Sequence, residues 1–248
     1  MKNILVLLLF SFFCLLVAAS SFTKPSLEKC LYPVVLVESI KSKSTGTGFI
    51  VKSKKVNNKY VNICLSCSHI LDSNDITIST SDYKKPFSFK SFQKYNGLVI
   101  SKDEKFDISL ISFLSDNKYN EVEIDMEYKP ELRDSVFTIA HGMADPARYS
   151  EGIVSSVDDD KKEISTSVGM LLGDSGGPLF HQNKVVGIAN AMKAYKIGKI
   201  TIPLNNFSIY KHISGSKNLL EDSKLYDLII NNEETNLSEL EKKLIKVN

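Results

Sequence analysis

The sequence predicts an all-β fold, a barrel or a sandwich, closed at its C-terminal end by helices. Three observations carry this: many short β-branched runs at regular spacing, turn residues between them, and a change to helical periodicity after residue 204. The runs are Val34–Val37, Phe49–Val51, Tyr60–Leu65, Ile76–Thr80, Phe87–Phe92, Leu98–Ile100 and Ile108–Leu114 in the first half. Val136–Ile139, Ile153–Val157, Glu163–Ser167, Pro178–Phe180, Val185–Ala189 and Lys199–Ile202 follow in the second. Nothing between them has the length or period of a helix that could cross a parallel sheet, which excludes repeated βαβ units. Leu219, Leu220, Leu225, Leu228 and Ile229, then Leu237, Leu240, Leu244 and Ile245, recur at helical intervals, and Ser238 with Glu241 has capping-box spacing.

Composition excludes several classes of function. The 31 basic and 29 acidic residues are mixed along 248 positions and leave a net charge of +2, so no basic stripe marks a nucleic-acid surface. At the N-terminus, Lys2 precedes an uncharged run from Ile4 to Ala19 that ends in Val17-Ala18-Ala19-Ser20. A short apolar run with small residues at its end predicts a signal peptide over 1–19, export to a periplasm or extracellular space, and no stable membrane span after cleavage. Cys30, Cys64 and Cys67 then remain, and three cysteines cannot all pair internally. Cys64 and Cys67 have CxxC spacing, but apart from His69 no second ligand pair lies nearby. They read as small buried residues, with one Cys30 bridge as the alternative.

The chemistry concentrates in Gly173-Asp174-Ser175-Gly176-Gly177-Pro178. A serine hydroxyl needs a base, an acid to orient that base, and donors for the oxyanion that develops. Glycine at 173 lets the Gly173 and Ser175 N–H groups face one concavity, while Gly176 and Gly177 permit a tight turn ahead of a strand. The loop also fits the G-x-S-x-G elbow of α/β-hydrolases, whose triad runs serine, acid, histidine. No acid lies between Ser175 and Glu221, and His181 and His212 both precede Glu221, so that order fails. An acid-histidine-serine order fails too, since the exported chain before His69 offers only Glu28 and Glu38. The order histidine, acid, serine remains.

His69 lies in Ser66-Cys67-Ser68-His69-Ile70-Leu71 and Asp107 in Phe106-Asp107-Ile108-Ser109-Leu110-Ile111. These segments resemble the T-A-A-H and D-I-A-L-L segments of trypsin-like peptidases. Ser44–Val51 is similar to their G-S-G-F-V-V strand. Phe137–Ala140 with Gly152–Ser155, Val185–Ala189 and Ile200–Pro203 are similar to the strands of their second barrel. From about Val34 to Ile213 the chain resembles that family, most of all the compact bacterial Deg/HtrA type. The resemblance implies two six-stranded β-barrels in the chymotrypsin-like manner: 28–125 with His69 and Asp107, 126–203 with Ser175, and a helical extension over 204–248. It implies His69 as general base and then acid, Asp107 as orienting carboxylate, Ser175 as nucleophile, Gly173 and Ser175 as oxyanion donors, no cofactor or metal, and polypeptide substrates. His141, His181 and His212 lack such context and read as structural or surface residues.

Two departures from the family accompany this. The segment that supplies a new N-terminal ammonium in activated zymogens is missing, so Asp174 needs backbone amides or a Lys or Arg as partner. No PDZ-like domain is expected in the 45 residues after Pro203. The specificity pocket is expected from Gly169, Met170, Asn190, Ala191 and Met192. Gly169 stands where trypsin carries its pocket carboxylate, which predicts a small or medium apolar P1 residue. The competing readings are a trypsin-fold binding or chaperone module that does not cleave, and an exfoliative or glutamyl endopeptidase with a basic or His-lined pocket.

Overall fold

A computed structural model describes residues 27–247; the expected signal segment lies outside them. After a single turn, α1 (Glu28–Leu31), six strands follow: β1 (Val34–Ser39), β2 (Thr45–Val56), β3 (Lys59–Ser66), β4 (Asp75–Lys85), β5 (Ser88–Asp103) and β6 (Ile108–Ser115). They close a barrel in the order β1-β2-β3-β6-β5-β4, all pairs antiparallel. The two expected runs Phe87–Phe92 and Leu98–Ile100 are the two ends of the one strand β5.

The second half contributes β7 (Glu123–Ile124), β8 (Ser135–Ala140), β9 (Arg148–Asp158), β10 (Glu163–Thr166), β11 (Pro178–His181), β12 (Lys184–Ile197) and β13 (Ile200–His212). The order β11-β8-β9-β10-β13-β12 returns on itself through a β11–β12 pairing, which makes a second six-stranded ring; the two-residue β7 lies parallel to β12. The molecule is therefore the double barrel that the sequence resembles. The expected barrel boundary at Pro203 is corrected by β13, which runs on to His212 and pairs Ser208–Lys211 with β10. Pro203 stands opposite Ala194, where the β12–β13 register shifts, a place in a sheet where a residue without an N–H is tolerated.

Strand alternation explains where the core sits. Val35, Val37, Ile50, Cys64, Ile111 and Phe113 fill the first barrel. Their neighbours Val34, Phe49, Val51, Ile63, Leu65 and Leu110 face outward, into a cluster shared with Ile139, Phe180, Val185 and Ile188 of the second ring. Because both faces of β6 are covered, all eight of its residues are buried, and its three serines, Ser109, Ser112 and Ser115, are satisfied by donating to the carbonyls of Cys67, Asn62 and Asn117. Val136, Val154, Ile164, Met170, Leu179, Val186 and Tyr210 fill the second ring.

The C-terminal segment straps the shared cluster. Beyond a 3₁₀ turn at Ile213–Ser216 lie α2 (Lys217–Asp222), a π-helical turn at Asp227–Asn231 and α3 (Ser238–Ile245). Leu219, Leu220, Leu225, Leu228, Leu237 and Leu244 bury their side chains in that cluster. Polar ties to the first barrel fix the strap: Lys52 to Asn232, Asn57 Nδ2 to Glu241 Oε2 at 2.7 Å, and Asn96 Nδ2 to the Val247 carbonyl at 3.2 Å. The expected Ser238/Glu241 capping pair does not form. Ser238 Oγ donates to Asn236 Oδ1, and Glu241 is spent on Asn57.

Leu220→Ala is expected to lower stability by about 2–5 kcal/mol through the cavity it leaves under the strap. Urea unfolding checks it, and a loss under about 1 kcal/mol would detach the strap from the cooperative core.

Candidate active site

Asp107 sits between β5 and β6 with φ 55°, a left-handed conformation that Asp adopts more readily than most residues. This turns its carboxylate back onto the loop after β3. Oδ1 accepts from Ser68 N–H at 3.1 Å, Ser68 Oγ at 2.7 Å and His69 N–H at 2.8 Å. Oδ2 faces His69 Nδ1 at 2.6 Å and accepts from Asn190 Nδ2 at 2.5 Å. Burial pushes the Asp107 carboxyl up, but the bonds from His69 and Ser68 outweigh it and hold the group below the usual carboxylate range. With Asp107 ionised, Nδ1–H is the donor and Nε2 carries the free lone pair. His69 is half-exposed.

Asn190 was expected to wall a specificity pocket, yet its amide is spent on Asp107. It lies in β12, so the contact ties the second barrel to the acid of the first. Met170, expected in the same wall, is buried in the core of the second ring. The Gly169 carbonyl accepts from Arg148 at 3.2 Å; Ala191 is exposed, and Met192 packs partly against the second-ring core. Met170 and Asn190 are thus held by contacts other than those of a pocket wall.

The Ser175 loop is built against the first barrel. Gly173 (φ 94°) and Gly176 (φ 85°) take conformations that L side chains avoid. A Cβ on Gly176 would meet the Thr47 carbonyl oxygen at 2.2 Å and the Cys67 nitrogen at 2.8 Å, so the loop lies directly on the His69 segment. Thr47, fully buried in β2, is the hub: its N–H donates to the Ser175 carbonyl at 2.7 Å, its Oγ1 donates to the Gly173 carbonyl at 2.8 Å, and the same Oγ1 accepts from His141 N–H at 2.9 Å. Met143 N–H donates to the Leu172 carbonyl at 2.6 Å and Gly177 N–H to the Asp174 carbonyl at 2.8 Å. In a trans peptide the next N–H points the other way, so Gly173 N–H and Ser175 N–H are turned out of the loop, and neither has a protein acceptor among the described residues. Sequence reasoning placed Thr47 in a strand motif but gave no sign of this hub.

Asp174 has found its partners. Its Oδ2 accepts from Leu171 N–H at 2.7 Å and pairs with the Arg148 guanidinium, which reaches over from β9. Burial raises the Asp174 carboxyl above its ordinary range, and the Leu171 amide and Arg148 offset only part of that rise. The histidine set aside as structural, His141, is buried, donates from Nδ1 to the Asp145 carbonyl at 2.8 Å, and is pushed by burial down to about 4.

One expected contact is not made. No hydrogen bond joins Ser175 Oγ to His69; instead Nε2 lies 3.8 Å from Cys67 Sγ. Such bonds are often loose without substrate and tighten in the complex. Cys30, Cys64 and Cys67 are all buried free thiols, so the alternative of a Cys30 bridge does not hold among the described residues.

Against known proteins, a family model described as a trypsin-like peptidase domain matches residues 46–188. A mitochondrial candidate protease of Arabidopsis thaliana, Do-like 3, is 24% identical over 161 residues; the match covers 61% of this chain but only 26% of that protein's length. Among solved structures, a serine endoprotease from Yersinia pestis superposes with a TM-score of 0.61 at 15% identity, over 81% of this chain and 65% of that one.

Two substitutions test the loop. Arg148→Ala leaves a buried carboxylate without its cation and is expected to cost about 3–5 kcal/mol in urea unfolding; a change under about 1 kcal/mol would show that the pair is dispensable. Thr47→Val keeps shape but strands the Gly173 carbonyl and His141 N–H, which costs about 1–3 kcal/mol per buried group. Unchanged stability in that variant would remove Thr47 as the hub.

Proposed function

The chain belongs to the trypsin-like peptidase domain family, and from that premise we propose that it is an exported serine endopeptidase that hydrolyses polypeptides through an acyl-enzyme on Ser175. The observation that carries the reading is the Asp107 carboxylate, which holds His69 Nδ1 at 2.6 Å while the Ser175 loop is docked on the same barrel. Export rests on the Lys2–Ala19 pattern alone. Among the described residues no helix is long and apolar enough to cross a membrane.

In the proposed reaction Ser175 Oγ attacks the scissile carbonyl carbon and His69 Nε2 takes the hydroxyl proton. Asp107 stabilises the imidazolium and keeps the ring in the tautomer that presents Nε2. The carbonyl oxygen becomes an oxyanion and is received by the outward-turned Gly173 and Ser175 N–H groups. His69 then protonates the leaving amine, and a water, activated by the same nitrogen, releases the acid product. Asn190 acts as a positioning residue, since it bonds the oxygen of Asp107 that also holds His69. Gly169 brings no carboxylate to the pocket, which favours a small or medium apolar P1 side chain.

The second reading, a binding or chaperone module that does not cleave, draws on the missing Ser175–His69 bond. A fluorophosphonate probe decides between them. Wild type is expected to label at Ser175, and Ser175→Ala to stay folded and unlabelled; folded wild-type protein that does not label would leave the binding module. Peptide-library profiling then reads P1. Dominant cleavage after Arg or Lys would overturn the apolar pocket, and cleavage after Glu would point to the glutamyl type.

A further inference from the structure

We propose that Cys67 and His69 form a chelate for a thiophilic divalent cation, zinc above all, that switches the peptidase off by occupying the nitrogen its mechanism needs. The switching rests on the reading of His69 as general base; the chelate itself does not.

The geometry is that of two ligands of one ion. Cys67 Sγ and His69 Nε2 are 3.8 Å apart. Zinc–sulfur and zinc–nitrogen bonds of about 2.3 and 2.0 Å at a tetrahedral angle span roughly 3.5 Å, so a small rotation of the half-exposed ring brings both atoms into range. Donor atoms of Cys67, His69 and Asp107 all lie within 4.8 Å of one another. Asp107 on Nδ1 is the outer-shell partner that metal-bound imidazoles use, because it fixes the tautomer and leaves Nε2 unprotonated. A thiolate with an imidazole suits zinc and cadmium and disfavours magnesium or calcium. The CxxC spacing has no part in this: Cys64 and Cys67 both pack in the first-barrel core, and of the two only Cys67 has its sulfur within reach of His69 and Asp107.

Burial holds the Cys67 thiol well above its ordinary range, so it is protonated before the ion arrives. Binding forms one S–metal and one N–metal bond and releases the thiol proton to solvent, with water in the remaining positions. A trypsin-like site with alanine in place of Cys67 has the histidine but lacks the second donor. The cation sensitivity is therefore specific to this segment.

Two readouts test it. Titrated with cadmium ion alone, wild type is expected to show a thiolate-to-metal charge-transfer band that saturates at one equivalent. The band should vanish in Cys67→Ala, which still holds Cys30 and Cys64, and His69→Ala should weaken the cadmium affinity read from it by about tenfold or more, the range seen even for loss of an outer-shell partner. Zinc should inhibit wild type reversibly, with the inhibition constant rising at least about tenfold in Cys67→Ser. An undiminished band in Cys67→Ala, no saturable band in folded wild type, or equal zinc sensitivity of wild type and Cys67→Ser would overturn the proposal. A protein that binds cadmium through Cys67 yet never reacts with fluorophosphonate would sustain the chelate and sink the peptidase.

Discussion

The orientation of two peptide units in the Ser175 loop is the constraint on which the rest of the site depends: Met143 and Gly177 hold those two units, and Thr47, from the other barrel, holds the unit between them and the one after. A backbone N–H can serve an oxyanion only if its peptide plane is locked before the charge develops, since reorientation during reaction would cost what the bond returns. Thr47 binds the carbonyls of Gly173 and Ser175, and Met143 and Gly177 bind those of Leu172 and Asp174. Every carbonyl from 172 to 175 is thus engaged, which leaves the intervening planes no freedom to flip. Two of these four bonds come from β2, so the loop's shape is a property of the barrel pair.

Beneath the loop, the Arg148–Asp174 pair answers an electrostatic problem that the sequence posed and left open. Zymogen relatives bring a new N-terminal ammonium to this carboxylate after a cut. Here the cation is part of β9, so it arrives when the second ring closes. A buried pair is weak evidence of stability as such, because desolvation offsets most of the attraction. Its value lies in position: with Oδ2 held by Arg148 and Leu171 N–H, Asp174 cannot swing, and the backbone on either side of it carries the two outward N–H groups.

Much of this was legible in the sequence, for reasons that can be named. Strand periodicity marks burial on one or both faces, so thirteen runs located twelve of the strands. Chain order of histidine, acid and serine is topological and survives without coordinates. The misses share a different cause. β7 is two residues long and held by a parallel pairing that leaves no local pattern. β13 outran its expected end because Leu204-Asn205-Asn206 reads as a breaker while its pairing with β12 and β10 overrides propensity. Thr47, Arg148 and Asn190 act through contacts 126, 26 and 83 residues away, and a lone Thr, Arg or Asn carries no spacing signature of its own.

His69 is the adjustable member of the site. Asp107 receives five hydrogen bonds from three residues, and the Ser175 backbone is pinned through Thr47, so neither can move without breaking buried contacts. His69 is held through its backbone N–H and Nδ1, with Nε2 in only a long contact to Cys67 Sγ and nearly half of its side chain in solvent. In the proposed mechanism and chelate, rotation of this ring decides whether Nε2 serves Ser175 or Cys67. A bound polypeptide, by covering the cleft and excluding water, strengthens the first contact; a thiophilic cation strengthens the second. Substrate and metal thus compete for a single torsion, and the rigidity of everything around it makes that torsion the control point of the site.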